Sequence, residues 1–98
     1  MDRDYEEFET AFHATSKSPA EAAQKVARAQ LMMQIQDIIR RHGWTQAEAA
    51  RRCGVSQPRI SLLVRSQFHQ FTLDALVKIA ANLGQRIEIA LSDAKEAA

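Results

Sequence analysis

The side chains with the most chemical capacity in this 98-residue chain are gathered between Gln46 and Arg65. They are the amides Gln46 and Gln57, the hydroxyls Ser56 and Ser61, and the guanidinium groups Arg51, Arg52, Arg59 and Arg65. An amide pairs a donor with an acceptor and a guanidinium presents paired donors, both in fixed geometry, which suits recognition rather than bond-making. Catalysis would need a different set. His13, His42 and His69 lie far apart and lack metal-ligand spacing. Cys53 falls on the small, inner side of its segment, where a thiol packs as a small apolar group. There is no Gly-rich phosphate loop, no catalytic Ser motif and no His-Glu-x-x-His. The three glycines are all used as helix ends or turns. No catalytic residue, metal ligand or cofactor is expected, and the chain is not expected to be an enzyme.

The recognition groups need elements to position them. Thr45 can cap a helix, and Glu48 three residues later completes a capping box. Ala49, Ala50 and Cys53 give that helix a small apolar face that a second helix can cross closely. Gly54 supplies the stop, since it takes the left-handed conformation at no steric cost, and Val55 fills the corner. Ser56 caps the next helix and Pro58 fits its first turn. On that helix Ile60, Leu63 and Val64 are expected to point inward, with Gln57, Arg59, Ser61 and Arg65 outward. The arrangement is a helix-turn-helix with a polar reading face.

The residues Thr45-Gln46, Ala50, Gly54-Val55-Ser56, Gln57 and Ile60 to Leu63 make this stretch resemble the XRE family of λ-repressor-like helix-turn-helix domains. That match covers about residues 31–84. A long helix on the N-terminal side and the segment QFTLDALVKIAANLGQRIEIAL are similar to HigA-type antitoxins, small regulators paired with RelE/HigB-like ribonuclease toxins. This looser match covers nearly the whole chain. Ser66 stands where many relatives carry Gly to end the recognition helix, and Gln67-Phe68-His69-Gln70 is less basic than in many of them.

Outside the motif, Ser18-Pro19-Ala20-Glu21 opens a long helix expected to run to His42 and stop at Gly43. Leu31, Ile35, Ile38, Ile39 and His42 are read as its inner face, with Ala22, Ala23, Ala27 and Ala29 adding helix propensity and little core. Trp44 can staple the start of the next helix against Ala49; its alternative role is stacking on a base. Thr72 caps a further helix with Asp74 in its first turn and Leu73, Leu76, Val77, Ala80 and Leu83 on one face. The period then changes to two: Ile87, Ile89 and Leu91 alternate with Arg86, Glu88 and Ala90, as in a half-buried strand. No second strand is evident, so its pairing falls to a second copy or a partner protein. Its alternative is an irregular tail lying on the helices. Tyr5, Phe8 and Phe12 form one aromatic stripe among acids, either docked on the protein's own core or clasping a basic partner.

Composition agrees with one folded domain: 46% of residues are hydrophobic. One cysteine excludes an internal disulfide. It suits a reducing cytoplasm, the expected location. No apolar run approaches the ~18 residues of a membrane span, and the acidic N-terminus does not resemble a secretory signal. The net charge of +1 conceals an asymmetry. Residues 21–66 hold eight bases and three acids, whereas residues 1–20 hold five acids and two bases. A basic patch of this kind attracts a polyanion by releasing its counterions, and a solvated helical surface is the plainer alternative.

The expected architecture is all-α. It comprises an acidic aromatic arm (1–17), a λ-repressor-like helix-turn-helix bundle with a long N-terminal helix (18–84), and a short C-terminal β-strand with its tail (85–98). The residues and the resemblance together imply a dimeric, sequence-specific repressor of a palindromic DNA operator, acting as the antitoxin of a ribonuclease toxin. The alternatives are a stand-alone phage-type repressor and a non-catalytic interaction module. The expected DNA-contacting residues are Gln46, Ser56, Gln57, Pro58, Arg59, Ser61 and Arg65. Gln57 is matched to adenine, Arg59 to guanine and Gln46 to phosphate. Arg51 and Arg52 are matched to flanking phosphate or to solvent. Contacts to a second copy or partner are expected at Ile87, Ile89, Leu91, Tyr5, Phe8 and Phe12.

Overall fold

The computed structural model describes residues 10–12 and 14–93. Tyr5, Phe8 and His13 lie outside the described residues. Four α-helices and a short 3-10 turn follow in order: α1 (Pro19–His42), α2 (Gln46–Cys53), α3 (Gln57–Val64), the turn Phe68–Gln70, and α4 (Leu73–Asn82). A stretch of helical backbone at residues 10–12 and 14–15 precedes them.

Each helix begins where a short polar side chain can accept an otherwise unpaired backbone N–H. Ser18, Thr45, Ser56 and Thr72 accept from Glu21, Glu48, Arg59 and Ala75, as capping chemistry requires. Pro19 and Pro58 occupy first turns, where no N–H is missed. Gly43 and Gly54 end α1 and α2 in the left-handed conformation. The reciprocal half of the capping box differs from expectation. Glu21 accepts from the N–H of Lys17 rather than Ser18. Glu48 turns its carboxylate to Arg51 and Arg52 instead of its own cap.

One core joins all four helices. Met32, Ile35 and Ile39 of α1 meet Ala49, Ala50 and Cys53 of α2, Ile60 and Leu63 of α3, Leu76, Ile79 and Ala80 of α4, and Phe71 between the turn and α4. Small residues on α2 let its neighbours approach closely. Trp44, Val55, Leu62, Phe68, Leu83 and Ile87 pack half-buried around this cluster.

Several faces differ from their sequence pattern. On α1 the buried row is Ala22, Val26, Ala29, Met32, Ile35, Ile38 and Ile39. Leu31 is only half-buried and His42 is exposed. His42 lies in the last turn and stacks on Trp44 with ring centroids 4.4 Å apart. Ala22 and Ala29 are fully buried, although their sequence pattern suggests helix propensity with little core. Val64 is 39% exposed, so Ile60 and Leu63 alone fill the buried side of α3. The strand expected around residues 86–91 is not formed in the single chain: residues 85–93 carry neither helix nor strand. A strand needs a ladder partner for its N–H and C=O groups, and no neighbouring strand exists among the described residues. Ile87 packs on the core, whereas Ile89 and Leu91 are 85% and 96% exposed.

Leu63 is fully buried at the centre of this core. Replacing it with Ala removes a branched side chain and leaves a cavity. The expected cost is about 2–5 kcal/mol, measured by urea or thermal unfolding. A melt within about a degree of wild type would show that the inner and outer faces of α3 are reversed.

Candidate nucleic-acid interface

Helix α3 is seated from below and clipped at its far end, which leaves one side free. Ile60 and Leu63 anchor it. At its C-terminus the Gln36 side-chain amide, from α1, donates to the Leu63 carbonyl at 2.7 Å and to Ser66 Oγ at 2.9 Å. The Leu63 carbonyl also accepts from the Ser66 backbone N–H at 3.1 Å, so Gln36 is a second donor that ties this helix end to α1. Ser66 takes φ +60°, the left-handed value that Gly commonly supplies at this position. Gln36 carried no signal in the sequence, since a lone helical glutamine has no periodic or motif signature. Its partners lie 27 and 30 residues away.

With about 100° between successive residues, Val64, Gln57, Ser61, Arg65 and Pro58 fall in order across one arc of α3. Gln57, Pro58, Val64 and Arg65 are exposed and Ser61 is half-buried. Five of the seven expected contact residues therefore lie at this surface: these four polar or proline positions together with the exposed cap, Ser56. Arg65 is folded back, its Nε donating to the Ser61 carbonyl at 3.2 Å. Ser56 accepts from the Arg59 N–H at 3.3 Å, which occupies its hydroxyl in capping. Gln46 is exposed at the first position of α2, where N–H groups point outward.

Arg59 is placed differently. It is half-buried, with its guanidinium carbon 4.1 Å from the centroid of the Phe71 ring. Its Nη1 donates to the Gln70 carbonyl at 3.0 Å. The expectation that Arg59 shares the outward row with Gln57 is corrected: two residues of helix turn the side chain by about 200°. The helical angle alone could have shown this.

The cations around the motif are largely engaged with nearby acids. Glu48 binds Arg51 and also Arg52, the latter at 2.6 Å. Asp37 lies 2.9 Å from Arg41 and 3.6 Å from Arg40. Hydrogen bonds from Arg51 and then Arg52 hold the Glu48 carboxyl below the usual carboxylate range. Arg52 also lies 5.0 Å from the Trp44 ring centroid. These pairs are solvent-exposed, so each contributes little to folding. They can exchange a carboxylate for another anion at small cost.

Cys53 is fully buried, and burial pushes its thiol up to about 11, far from nucleophilic readiness. Among the described residues no group of three or more His, Cys, Asp or Glu side chains could hold a metal ion. Among them, too, no helix is long and apolar enough to cross a membrane.

Comparison with known proteins agrees with this geometry. No curated protein matches the chain significantly. A family model described as a helix-turn-helix domain matches residues 14–92, which takes in every helix from α1 to α4. That match spans most of the chain, α2 and α3 with the left-handed Gly54 between them included, and the chain belongs to the helix-turn-helix domain family.

Proposed function

We propose that this protein is a sequence-specific, dimeric repressor that reads a palindromic operator, and that it is the antitoxin of a ribonuclease toxin. The observation that carries the DNA reading is the row Gln57, Pro58, Ser61 and Arg65 on the outer side of a helix whose other side is fixed in the core. An α-helix fits the major groove, where each base pair presents its own donors and acceptors. Gln57, in the first turn of α3, is matched to the N6 and N7 edge of adenine. Ser61 and Arg65 serve as base or backbone contacts. Gln46, with the free N–H groups at the start of α2, grips a phosphate. The antitoxin role and cytoplasmic location rest on the resemblance to HigA-type regulators and on composition. Partner binding falls to the N-terminal arm, Tyr5, Phe8 and Phe12, or to the tail. A stand-alone repressor differs from an antitoxin in one decisive way. Only the antitoxin co-purifies with, and suppresses the toxicity of, a ribonuclease encoded by a neighbouring frame.

Dimerisation is assigned to the tail. Ile89 and Leu91 are large, apolar and almost fully exposed, and Arg86–Ala90 alternates as a strand does. Two such tails pairing across a two-fold axis would cover these side chains and satisfy the backbone. The two α3 helices would then meet successive turns of DNA, roughly 34 Å apart.

Three outcomes follow from this reading. Gln57→Ala is expected to cost about 1–3 kcal/mol on the preferred duplex and to relax discrimination at one base pair; equal weakening on every sequence would make Gln57 a phosphate contact. Glu48→Gln releases Arg51 and Arg52, and should steepen the dependence of log K on log salt by up to about 0.9 per added phosphate contact. An unchanged slope would leave both arginines as solvated surface. Ile89→Glu should convert a dimer to monomer in sedimentation, lower operator affinity sharply and leave helix content intact. A wild type that is monomeric at tens of micromolar would transfer the tail to a different partner protein.

A further inference from the structure

We propose that Arg59 is a positioning residue. It locks the first turn of α3 to the Phe68–Gln70 turn, and so sets the angle at which Gln57, Ser61 and Arg65 meet DNA, without itself reading a base. The proposal rests on the DNA-binding reading above and names how that surface is held.

Four observations converge on it. Arg59 lies about 200° around α3 from Gln57 and about 160° from Ser61, turned away from the outward row. Its guanidinium stacks on Phe71, which is 1% exposed and part of the central core. In the same pose Nη1 donates to the Gln70 carbonyl at 3.0 Å. Its backbone N–H is in turn held by the Ser56 cap. The residue is thus tied at three points, by its backbone N–H to the motif turn and by its guanidinium to the loop after α3 and to the core. A planar guanidinium can lay its face on a ring while donating in its own plane, whereas a lysine ammonium cannot do both. Reading guanine would require Arg59 to release the ring and the carbonyl and to swing across most of a half-turn of helix.

The clasp also explains how the loop after α3 is fixed. Among the described residues, that segment has at its near end the Gln36 clip at Leu63 and Ser66. At its far end Phe71 is buried and donates its N–H to the Phe68 carbonyl at 3.1 Å. Phe68 packs on the core and meets the ring of Phe12 edge-on at 6.0 Å. Arg59 joins this segment directly to the start of α3. With clip and clasp together, α3 is restrained at both ends by contacts outside its own buried face.

The test uses the full chain and the duplex that wild type selects from a random DNA library. Affinity for every single base-pair change in that duplex is measured for wild type, Arg59→Ala, Arg59→Lys, Phe71→Leu and the Arg59→Ala/Phe71→Leu double variant. Measurements are made well below each variant's melting temperature. Arg59→Ala is expected to weaken the selected duplex about tenfold, with the loss spread over all positions read by α3. Phe71→Leu should give the same pattern. The double variant should fall within about twofold of the worse single variant, the non-additivity of two groups acting as one. Arg59→Lys should recover only part of the loss, and it carries the test by itself if the alanine variant fails to fold. Loss confined to one base pair and additive with Phe71→Leu would make Arg59 a base reader and overturn the proposal. Unchanged affinity with a lowered melting temperature would also overturn it, leaving Arg59 a stabilising contact only. If wild type selects no sequence at all, the DNA-binding reading itself fails, an outcome separate from the other two.

Discussion

The close approach of α2 and α4 at Gly54 constrains everything else in the molecule. Asn82, at the end of α4, donates its side-chain N–H to the Cys53 carbonyl at 2.9 Å. A Cβ built on Gly54 would stand 2.7 Å from that same nitrogen, and Gly54 has φ +72°. Two independent demands, a left-handed turn and room for Asn82, therefore fall on one residue. Ala49, Ala50 and Cys53 extend the same closeness along α2. Only with small side chains there can Ile60 and Leu63 reach the core and set α3 across α2.

Helix ends in this fold are finished by side chains from distant helices. Asn82 completes α2, and Gln36 completes α3. Asn82 pairs the part-buried Cys53 carbonyl, where an unpaired polar group costs about 1–3 kcal/mol, and Gln36 adds a second donor to a Leu63 carbonyl that also accepts from the Ser66 N–H. The effect reaches function through rigidity. A recognition helix that wobbled would lose ordering free energy on every contact it made with a groove. Ser66 fits this arrangement despite its positive φ, because its hydroxyl shares the Gln36 amide.

Charge is organised around the same elements. The three acids of residues 21–66 each sit beside cations one helical turn away: Glu21 with Lys25, Asp37 with Arg40 and Arg41, Glu48 with Arg51 and Arg52. Pairing of this sort limits the attraction of the free protein for arbitrary anions. It leaves a polyanion able to displace the carboxylates, since exposed pairs are weak. Arg59 is held in another way. Its contacts are a ring and a carbonyl, neither of which neutralises it, so its charge adds to the local potential even while its geometry is fixed.

The amino-acid order by itself determined the elements and their ends. Caps at Ser18, Thr45, Ser56 and Thr72, first-turn prolines, and stops at Gly43 and Gly54 are local chemistry, decided within four residues. The crossed pair α2 and α3 followed from them, as did the core roles of Ile60, Leu63 and Cys53. Tertiary structure decided what depends on partners far away in sequence. It rotated the buried row of α1 from Leu31 and His42 to Ala22, Ala29 and Met32, because the shape of the opposing helices selects among apolar positions that a periodic pattern leaves nearly equivalent. It gave Arg59, which its own helical angle already turns away from the Gln57 row, a ring to stack on 12 residues away. It recruited Gln36 and Asn82, whose signals exist only once the helix ends lie beside them. The tail shows the boundary most plainly. Its alternation specifies a strand, but a ladder is a property of two segments, and within one chain the second is not there among the described residues.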